Sequence, residues 1–194
     1  KNFKILDFGS NQGYLFDALK NTNNEVIGIE ISDKFRDFSN KNDRPTYENI
    51  HQVVDNFGKN YFDIIFLRNC FHFIDDIKDI FQDFDKILKH DGMILMYEPS
   101  IDFSKDFFDC LHTKVEYPHH KHWLSYFSIN SIFSQLNYKV NISFFRPNKT
   151  IFILKKEVNV NKKINFVSRI YIYSWLLIAK TIIIFHDLFS RRGS

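Results

Sequence analysis

The stretch ILDFGSNQGYLFDALK, residues 5–20, decides how this chain folds. Ile5–Phe8 is a short apolar run typical of a buried strand, and Tyr14–Leu19 has apolar residues at helical spacing. Between them, Gly9–Gly13 contains two glycines and three polar residues, which indicates a tight turn. A strand, a glycine-rich turn and a helix in this order present backbone N–H groups above the edge of a sheet. The pattern also fits a plain strand-to-helix connection, so the rest of the chain has to decide.

Further apolar runs alternate with helical patterns along the chain. Glu25–Ile31, Tyr61–Leu67 and Met93–Pro99 predict three more strands, and the patterns near Asp33–Asn40 and Ile77–Leu88 predict helices. Strands that alternate with helices of this length are typical of a parallel sheet covered on both faces.

The last third of the chain predicts the end of the domain. Ser128–Leu136 is expected to be a helix, and Tyr138–Phe145 and Thr150–Lys155 a closing antiparallel pair of strands. The predicted fold class is therefore α/β, a doubly wound, mostly parallel, Rossmann-like sheet with antiparallel closing strands, plus a C-terminal apolar helix. We expect residues 1–156 to form the domain and 157–194 a linker and that helix. Because the chain starts without Met on a core strand, we expect an N-terminal truncation.

Composition excludes several classes of protein. With 44% hydrophobic residues in a chain of 194, disorder is excluded. A net charge of +3, with both signs scattered and no basic cluster, argues against a nucleic-acid partner. Cys70 and Cys110 lie far apart in apolar contexts, and no signal peptide is visible, so we expect a reducing, cytoplasmic compartment.

Three features converge at the carboxyl ends of the predicted strands, where open parallel sheets bind their ligands. The first is the turn Gly9–Gly13, and the second is Glu30, about twenty residues further on, where a carboxylate accepts hydrogen bonds from ribose hydroxyls. The third is the segment Arg68–His72, which leaves another strand. Their order and spacing predict a nucleoside-binding site.

At this point the sequence resembles the class I S-adenosylmethionine-dependent methyltransferases. Their first motif is an acidic residue followed by three glycines at alternate positions, which corresponds here to Asp7, Gly9, Asn11 and Gly13. Asn11 stands where the family usually has its middle glycine, and Asn is the residue besides glycine that best adopts a left-handed backbone. The stretch VIGIEIS is similar to the family's second strand, with Glu30 as its ribose-binding acid.

Later stretches extend the resemblance to about residue 156. YFDIIFLRNCFHFIDDI, residues 61–77, is similar to the family's fourth strand and the turn on its substrate side. DFDKILKHDGMILMYEPS, residues 83–100, looks like the stretch that usually carries a Lys-Pro-Gly-Gly turn, here Lys89–Gly92, which we expect to end the preceding helix. HWLSYFSINSIFSQLNYKV, residues 122–140, resembles a helix of members that act on sugars or polyketide-type substrates.

The resemblance implies an enzyme that uses S-adenosylmethionine. Glu30 would bind the ribose, Asn49 (with Glu48) would lie near the adenine, and the loop N–H groups would approach the methionine carboxylate and the ribose. Asp7 would bind either the loop amides or the methionine amino group, or serve only as a buried structural cap. The candidate cofactor-binding residues are Asp7, Gly9, Ser10, Asn11, Gly13, Glu30, Asn49 and Asn69.

Candidate catalytic residues are histidines, because a hydroxyl acceptor needs a general base near neutral pH. His72 follows a strand on the substrate side, and its alternative role is structural. His119, His120 and His122 lie in the segment expected to cover the acceptor, as a base, as a substrate contact or as a solvated loop. Their adjacent spacing lacks the pattern of a dedicated metal site, so no metal is expected. A nucleophilic role for Cys70 is not expected either.

The expected reaction is methyl transfer to a small-molecule acceptor, which is a sugar, a polyketide-like compound or a lipid-linked precursor. The alternatives are an RNA or protein methyltransferase, or a degenerate methyltransferase-like module that binds without catalysis. Asn11 and the indistinct adenine motif are the only features that favour the degenerate module.

The C-terminal segment Ile164–Phe189 is strongly apolar. At helical spacing its polar residues Arg169, Tyr173, Lys180 and Asp187 form one narrow stripe, and two cations argue against a membrane-spanning helix. Such a helix must bury most of its surface. We expect it to pack on its own domain, to pack against a second copy in a homodimer, or to lie at the inner surface of a membrane as a peripheral helix.

Overall fold

A computed structural model of the chain describes residues 2–98, 125–146 and 149–156. In chain order the elements are β1 Lys4–Phe8, α1 Tyr14–Leu19, β2 Glu25–Ile29, α2 Asp33–Lys41, β3 Thr46–Tyr47, α3 Ile50–Phe57, β4 Phe62–Arg68, a 3₁₀ helix Phe71–Phe73, α4 Ile77–Ile87, β5 Leu88–Glu98, α5 Tyr126–Gln135, β6 Tyr138–Arg146 and β7 Lys149–Lys156. Across this described part, seven strands form one sheet in the order β3-β2-β1-β4-β5-β7-β6.

The direction of the strands sets where a ligand is held. β3, β2, β1, β4 and β5 are mutually parallel, whereas β7 is antiparallel to both β5 and β6. From β1 the chain builds the sheet first toward β3 and then, through β4, toward the other edge. A crevice forms at such a switch point, outside the carboxyl ends of the central strands. The α/β class with antiparallel closing strands is thus confirmed.

One strand and one helix were not predicted from the sequence. β3 has only two residues, too few for an apolar run to stand out. α3 follows it, and Asn49 caps this helix by accepting a hydrogen bond from the backbone N–H of Gln52 at 3.1 Å. Its buried residues Ile50 and Val53 are spaced as a helix requires, so this signal was present in the sequence.

The expected turn at Lys89–Gly92 is wrong. α4 ends at Ile87, and Leu88 is already extended, with φ −74° and ψ 134°. Residues 89–92 form an irregular part of β5, because the pairing with β4 passes from Phe62–Leu88 to Ile64–Met93. Lys89 Nζ lies 2.7 Å from a carboxylate oxygen of Asp63 on β4, which holds the irregular segment against its neighbouring strand.

Phenylalanine builds much of the core. Phe81 on α4 lies against Phe84, Phe133 and Tyr138, with ring centroids 4.8–5.7 Å apart. Phe71, in the 3₁₀ helix after β4, contacts Phe133 at 5.6 Å. These contacts join α4, α5, β6 and the segment after β4, so one side of the crevice rests on a packed aromatic cluster.

The described residues belong to a compact unit that runs to Val160. The predicted domain boundary after residue 156 stays a prediction, and the predicted helix Ile164–Phe189 lies outside the described residues. Within the part of the chain that is described, no helix has the length and apolar character that crossing a bilayer requires.

Candidate active site

The loop after β1 has a left-handed backbone at every second residue. Gly9, Asn11 and Gly13 have φ values of 79°, 50° and 82°. A Cβ atom at Gly9 would lie 2.9 Å from the Cβ of Cys70, so this position excludes any side chain. Asn11 adopts the conformation expected of it, and its Oδ1 accepts the backbone N–H of Gln12 at 2.8 Å. The turn therefore survives the loss of the middle glycine.

Glu30 accepts hydrogen bonds from the glycine loop and from the segment before α2. β2 ends at Ile29, and the Glu30 side chain, only 8% exposed, accepts the backbone N–H of Asn11 on Oε2 and that of Ser32 on Oε1, each at 2.8 Å. Each carboxylate oxygen keeps acceptor capacity for one more donor, such as a hydroxyl group. Ile31, the next residue, is 85% exposed and offers an apolar surface beside this carboxylate.

The N–H groups of the loop are already used within the protein. Those of Gly9 and Ser10 both donate to the carbonyl of Ile29 at 2.9 Å, and that of Gly13 donates to the carbonyl of Ser10 at 2.9 Å. The N–H groups of Asn11 and Gln12 are bound as described above. This differs from the expectation that loop amides approach the ligand. The reason is that the left-handed turn folds the loop back onto β2.

Residues on and after α2 hold the loop from the other side. Arg44 donates from Nη1 to the carbonyl of Gln12 and from Nη2 to Asp17, both at 2.6 Å. Arg36 donates to the carbonyl of Glu30 at 2.9 Å. These guanidinium groups fix the positions of the loop and of the end of β2.

Ser10 packs inward rather than facing the crevice. Its hydroxyl is buried and has no hydrogen-bond partner among the described residues. A Cβ atom at Gly28 on β2 would lie 2.7 Å from this oxygen, so the side chain lies close against the sheet. The structure thus places the Ser10 hydroxyl behind the loop.

Asp7 is a buried carboxylic acid at the end of β1. Its side chain is 4% exposed, and within the described residues it accepts no hydrogen bond, so it does not bind the loop amides. Burial raises the pKa of Asp7 to about 7, with Arg68 opposing the rise and Glu30 adding to it. Arg68, the last residue of β4, has its guanidinium carbon 5.4 Å from the ring centre of Tyr14. A buried acid and an exposed cation thus flank the loop.

Glu98 organises the segment that follows β4. It is fully buried at the end of β5, and its Oε1 accepts the backbone N–H groups of Cys70 and Phe71 at 2.9 and 3.0 Å. Its Oε2 lies 3.0 Å from Nδ1 of His72, a side chain that is itself buried. A carboxylate oxygen is an acceptor, so this contact favours the tautomer with the proton on Nδ1, in which Nε2 is the ring nitrogen that can accept a proton.

Cys70 has a structural role. Its thiol donates to the carbonyl of Phe8 at 3.0 Å. Burial, followed by the charge of Glu98, raises its pKa well above the usual value, so the thiol stays neutral. The expectation that Cys70 is not a nucleophile agrees with this environment.

The other predicted residues lie at the same edge of the sheet or outside the described part. Asn49 follows β3 and uses its Oδ1 to cap α3, and the neighbouring Glu48 is exposed. Asn69 follows β4 with a left-handed backbone, φ 52°, and donates its N–H to the carbonyl of Tyr97 at 3.0 Å. The remaining candidates, His119, His120 and His122, lie outside the described residues.

Sequence reasoning missed the roles of three residues of this site. Glu98 ends an apolar strand with a carboxylate, as Glu30 does, and the same rule could have found it. Arg68 was included in the segment Arg68–His72 at the edge that binds ligands, but its charge was given no role. Arg44 gave no signal, because its contact with the loop joins residues 32 positions apart.

Comparisons with known proteins agree with the geometry of the site. Residues 6–96 match a family model described as "Methyltransferase domain". A structure titled as a SAM-dependent methyltransferase from Archaeoglobus fulgidus is similar, with a TM-score of 0.66, 15% identity and coverage of 80% of this chain and 86% of that one. A sequence comparison with curated proteins finds no match.

Two larger proteins contain a similar domain. The CurJ carbon methyltransferase has a TM-score of 0.60 and 15% identity, over 79% of this chain and 48% of that one. The CMeT domain of the citrinin polyketide synthase has a TM-score of 0.62 and 16% identity, over 81% of this chain and 48% of that one. At these identities the likeness shows the fold.

The match over residues 6–96 and the order of the sheet agree with the resemblance to the class I S-adenosylmethionine-dependent methyltransferases that the motifs indicated. Residues 6–96 thus match a methyltransferase domain, and the fold agrees with the expected use of S-adenosylmethionine as the cofactor.

The residues at the crevice fit this cofactor. Glu30 has acceptor capacity for ribose hydroxyls, and the buried Asp7 carboxylate, which has no hydrogen bond among the described residues, suits an ammonium group. The exposed Ile31 suits a flat apolar ring. Acceptors for the ammonium and the ribose and an apolar surface for the adenine are thus present at Asp7, Glu30 and Ile31.

Proposed function

We propose that this domain methylates a small-molecule acceptor and that His72 removes the acceptor's proton. The observation that carries the proposal is the buried pair of His72 and Glu98, with 3.0 Å between Nδ1 and Oε2. The pair lies at the carboxyl ends of β4 and β5, on the side of β1 opposite to Glu30 and β2. The base and the ribose-binding acid thus stand on opposite sides of the first strand.

On the cofactor side, each residue has a specific role. Glu30 accepts the ribose hydroxyls, Asp7 accepts the ammonium of the methionine, and Ile31 packs against the adenine. Asn49 and Glu48, after β3, lie on the adenine side, and Asn69 shapes the turn after β4. The bound cofactor supplies an electrophilic methyl group on a sulfonium. The protein then has to align the acceptor with that group and exclude water.

On the acceptor side, Glu98 acts through His72. It fixes the proton on Nδ1, so that Nε2 accepts the proton of the acceptor, and its negative charge stabilises the imidazolium that results. Glu98 also binds the backbone N–H groups of Cys70 and Phe71, which fixes the segment that carries the histidine. His119, His120 and His122 remain candidates for further contacts with the acceptor.

The class of acceptor is proposed from the chemistry and from two named neighbours. A histidine base suits an acceptor that must lose a proton, such as a sugar hydroxyl or an activated carbon. Two of the similar structures are named as a carbon methyltransferase and as a domain of a polyketide synthase, which supports a polyketide-like acceptor. Sugars and lipid-linked precursors are the other two classes of acceptor to be tested.

The test combines binding with turnover. S-adenosylhomocysteine is titrated by calorimetry into the parent and Glu30→Ala, and turnover is measured on β-ketoacyl thioesters, nucleotide sugars and lipid-linked precursors. We expect Glu30→Ala to bind at least tenfold more weakly. His72→Gln should retain binding and lose about a hundredfold or more in turnover. His51→Gln is the matched control, because His51 also faces a carboxylate, Asp83 at 3.4 Å, but is 79% exposed.

The outcomes separate this proposal from its alternatives. A parent protein that does not bind the ligand is a non-catalytic module. If the protein binds S-adenosylhomocysteine but methylates none of the small molecules tested, and then methylates RNA or protein, the acceptor is a macromolecule. If His72→Gln keeps full turnover, His72 is not the general base, and His119, His120 and His122 are the candidates that remain to be tested.

A further inference from the structure

The methionine carboxylate of the cofactor needs a donor, and the loop does not offer one. All five backbone N–H groups of Gly9–Gly13 donate to acceptors within the protein. An anionic group bound beside this loop must therefore find a cationic or polar side chain. A side chain with this role presupposes the proposed function, because it would bind the proposed cofactor.

Arg68 is the arginine at this edge without a carboxylate partner. Arg36 and Arg44 are bound to Asp33 and Asp17 as well as to backbone carbonyls. Among the described residues, no carboxylate lies within salt-bridge distance of the Arg68 guanidinium, and the side chain is exposed. Its donors are therefore available to a ligand, whereas those of the other two arginines hold the protein together.

The position of Arg68 is defined from two sides. β4 pairs with β1 up to Leu67 and Phe8, and Arg68 still pairs with Tyr97 of β5, so Arg68 lies at the end of its strand, level with the start of the glycine loop. The ring of Tyr14, at the start of α1, lies 5.4 Å from the guanidinium carbon and is half exposed. A cation already held over an aromatic ring loses less conformational freedom when it binds a ligand.

We propose that Arg68 binds the carboxylate of the cofactor's methionine and that, with Asp7 on the ammonium, it selects ligands that carry an intact amino acid. Asp7 is buried and Arg68 is exposed, and each lies at the end of a strand next to the glycine loop, so a negative and a positive group are both present where the amino-acid end of the ligand is proposed to bind. A guanidinium binds a carboxylate through two parallel hydrogen bonds, which gives direction as well as affinity.

Three ligands test the proposal by calorimetry. S-adenosylhomocysteine carries the carboxylate and the ammonium, its decarboxylated analogue lacks the carboxylate, and 5′-methylthioadenosine lacks both. The proteins are the parent, Arg68→Met, Arg68→Lys and Lys34→Met. Lys34 is an exposed cation near the start of α2 and serves as the control for loss of one positive charge. Thermal unfolding of each variant checks that the domain stays folded.

We expect the parent to bind S-adenosylhomocysteine about ten- to thirtyfold more tightly than the decarboxylated analogue. In Arg68→Met this ratio should fall to within about threefold, while the affinity for 5′-methylthioadenosine stays unchanged. Arg68→Lys should lie between the two, because an ammonium keeps the charge and loses the paired geometry. Lys34→Met should behave as the parent does.

Two results would overturn the proposal while leaving the proposed function intact. If Arg68→Met keeps the parental ratio, Arg68 does not bind the carboxylate. If it weakens both amine-bearing ligands equally, Arg68 acts only through the charge of Asp7. A parent protein that binds none of the three ligands overturns the proposed function itself, and this inference with it.

Discussion

The protonation of Asp7 is expected to control how tightly the domain holds its cofactor. Burial raises the pKa of this carboxyl to about 7. In the proposed binding mode the ammonium of the ligand binds the carboxylate form of Asp7, so binding at lower pH must release the proton from this group. Affinity for S-adenosylhomocysteine should therefore fall about tenfold for each pH unit well below 7 and level off above it. Between pH 8 and pH 6 the expected loss is about tenfold.

Calorimetry measures this linkage directly. Titrations in two buffers with different heats of ionisation give the number of protons released on binding, which should be about one half at pH 7 and close to one at pH 6. Asp7→Asn has no proton to release, so its weaker affinity should not change over this range. An affinity of the parent that is flat from pH 6 to pH 8, or a proton release that persists in Asp7→Asn, would refute the reasoning.

The same carboxyl should make stability depend on pH. Its pKa is about 7 in the folded protein against 3.8 for the ordinary group, so the folded state binds the proton more tightly. Stability should therefore decrease as pH rises from about 4 to about 7, by up to about 4 kcal/mol, and stay constant above. Urea unfolding of the parent and of Asp7→Asn checks this, because the variant should lack that decrease.

Three further predictions concern the loop and the C-terminal segment. Arg44→Met removes the hydrogen bonds to the carbonyl of Gln12 and to Asp17. Calorimetry should show S-adenosylhomocysteine binding that is about three- to tenfold weaker. Unchanged affinity would show that the loop keeps its conformation without Arg44. Gly9→Ala should destabilise the domain by about 1–3 kcal/mol in urea unfolding, because its Cβ would meet Cys70 and its φ is 79°. We propose that residues 164–194 bind anionic membranes or a second copy of the chain. At low salt the full chain should float with anionic liposomes, and a chain that lacks residues 164–194 should not. If the full chain stays with the soluble fraction, it does not bind the membrane. Analytical ultracentrifugation then decides between a homodimer and packing of the segment on the domain.

The sequence predicted the parts of the site that lie close together along the chain. Gly9, Asn11 and Gly13 belong to one short loop close after Asp7, and the resemblance to the family's first motif indicated a tight turn in which Asn11 has a left-handed backbone. Glu30 was found because a strand that ends in an acid is a local pattern. Such features depend on backbone conformation over a few residues, which composition and spacing determine directly.

The parts that were missed depend on contacts between distant segments. His72 and Glu98 are 26 residues apart and meet only because β4 pairs with β5 so that Arg68 lies beside Tyr97. The register of two strands depends on packing over their whole length, including the irregular segment near Gly92. The use of every loop N–H group within the protein could not be predicted either, because it depends on how the loop folds back onto β2.

Glu30 makes the two halves of the ligand dependent on each other. One of its oxygens is bound to the glycine loop and the other to the N–H of Ser32 before α2. In the proposed binding mode the loop borders the amino-acid end of the cofactor and Ser32 borders the adenosine end. A change in the position of this carboxylate therefore moves both walls of the crevice together. Adenosine and homocysteine, added as separate fragments, should accordingly bind with positive cooperativity, each reducing the conformational cost of ordering the site for the other.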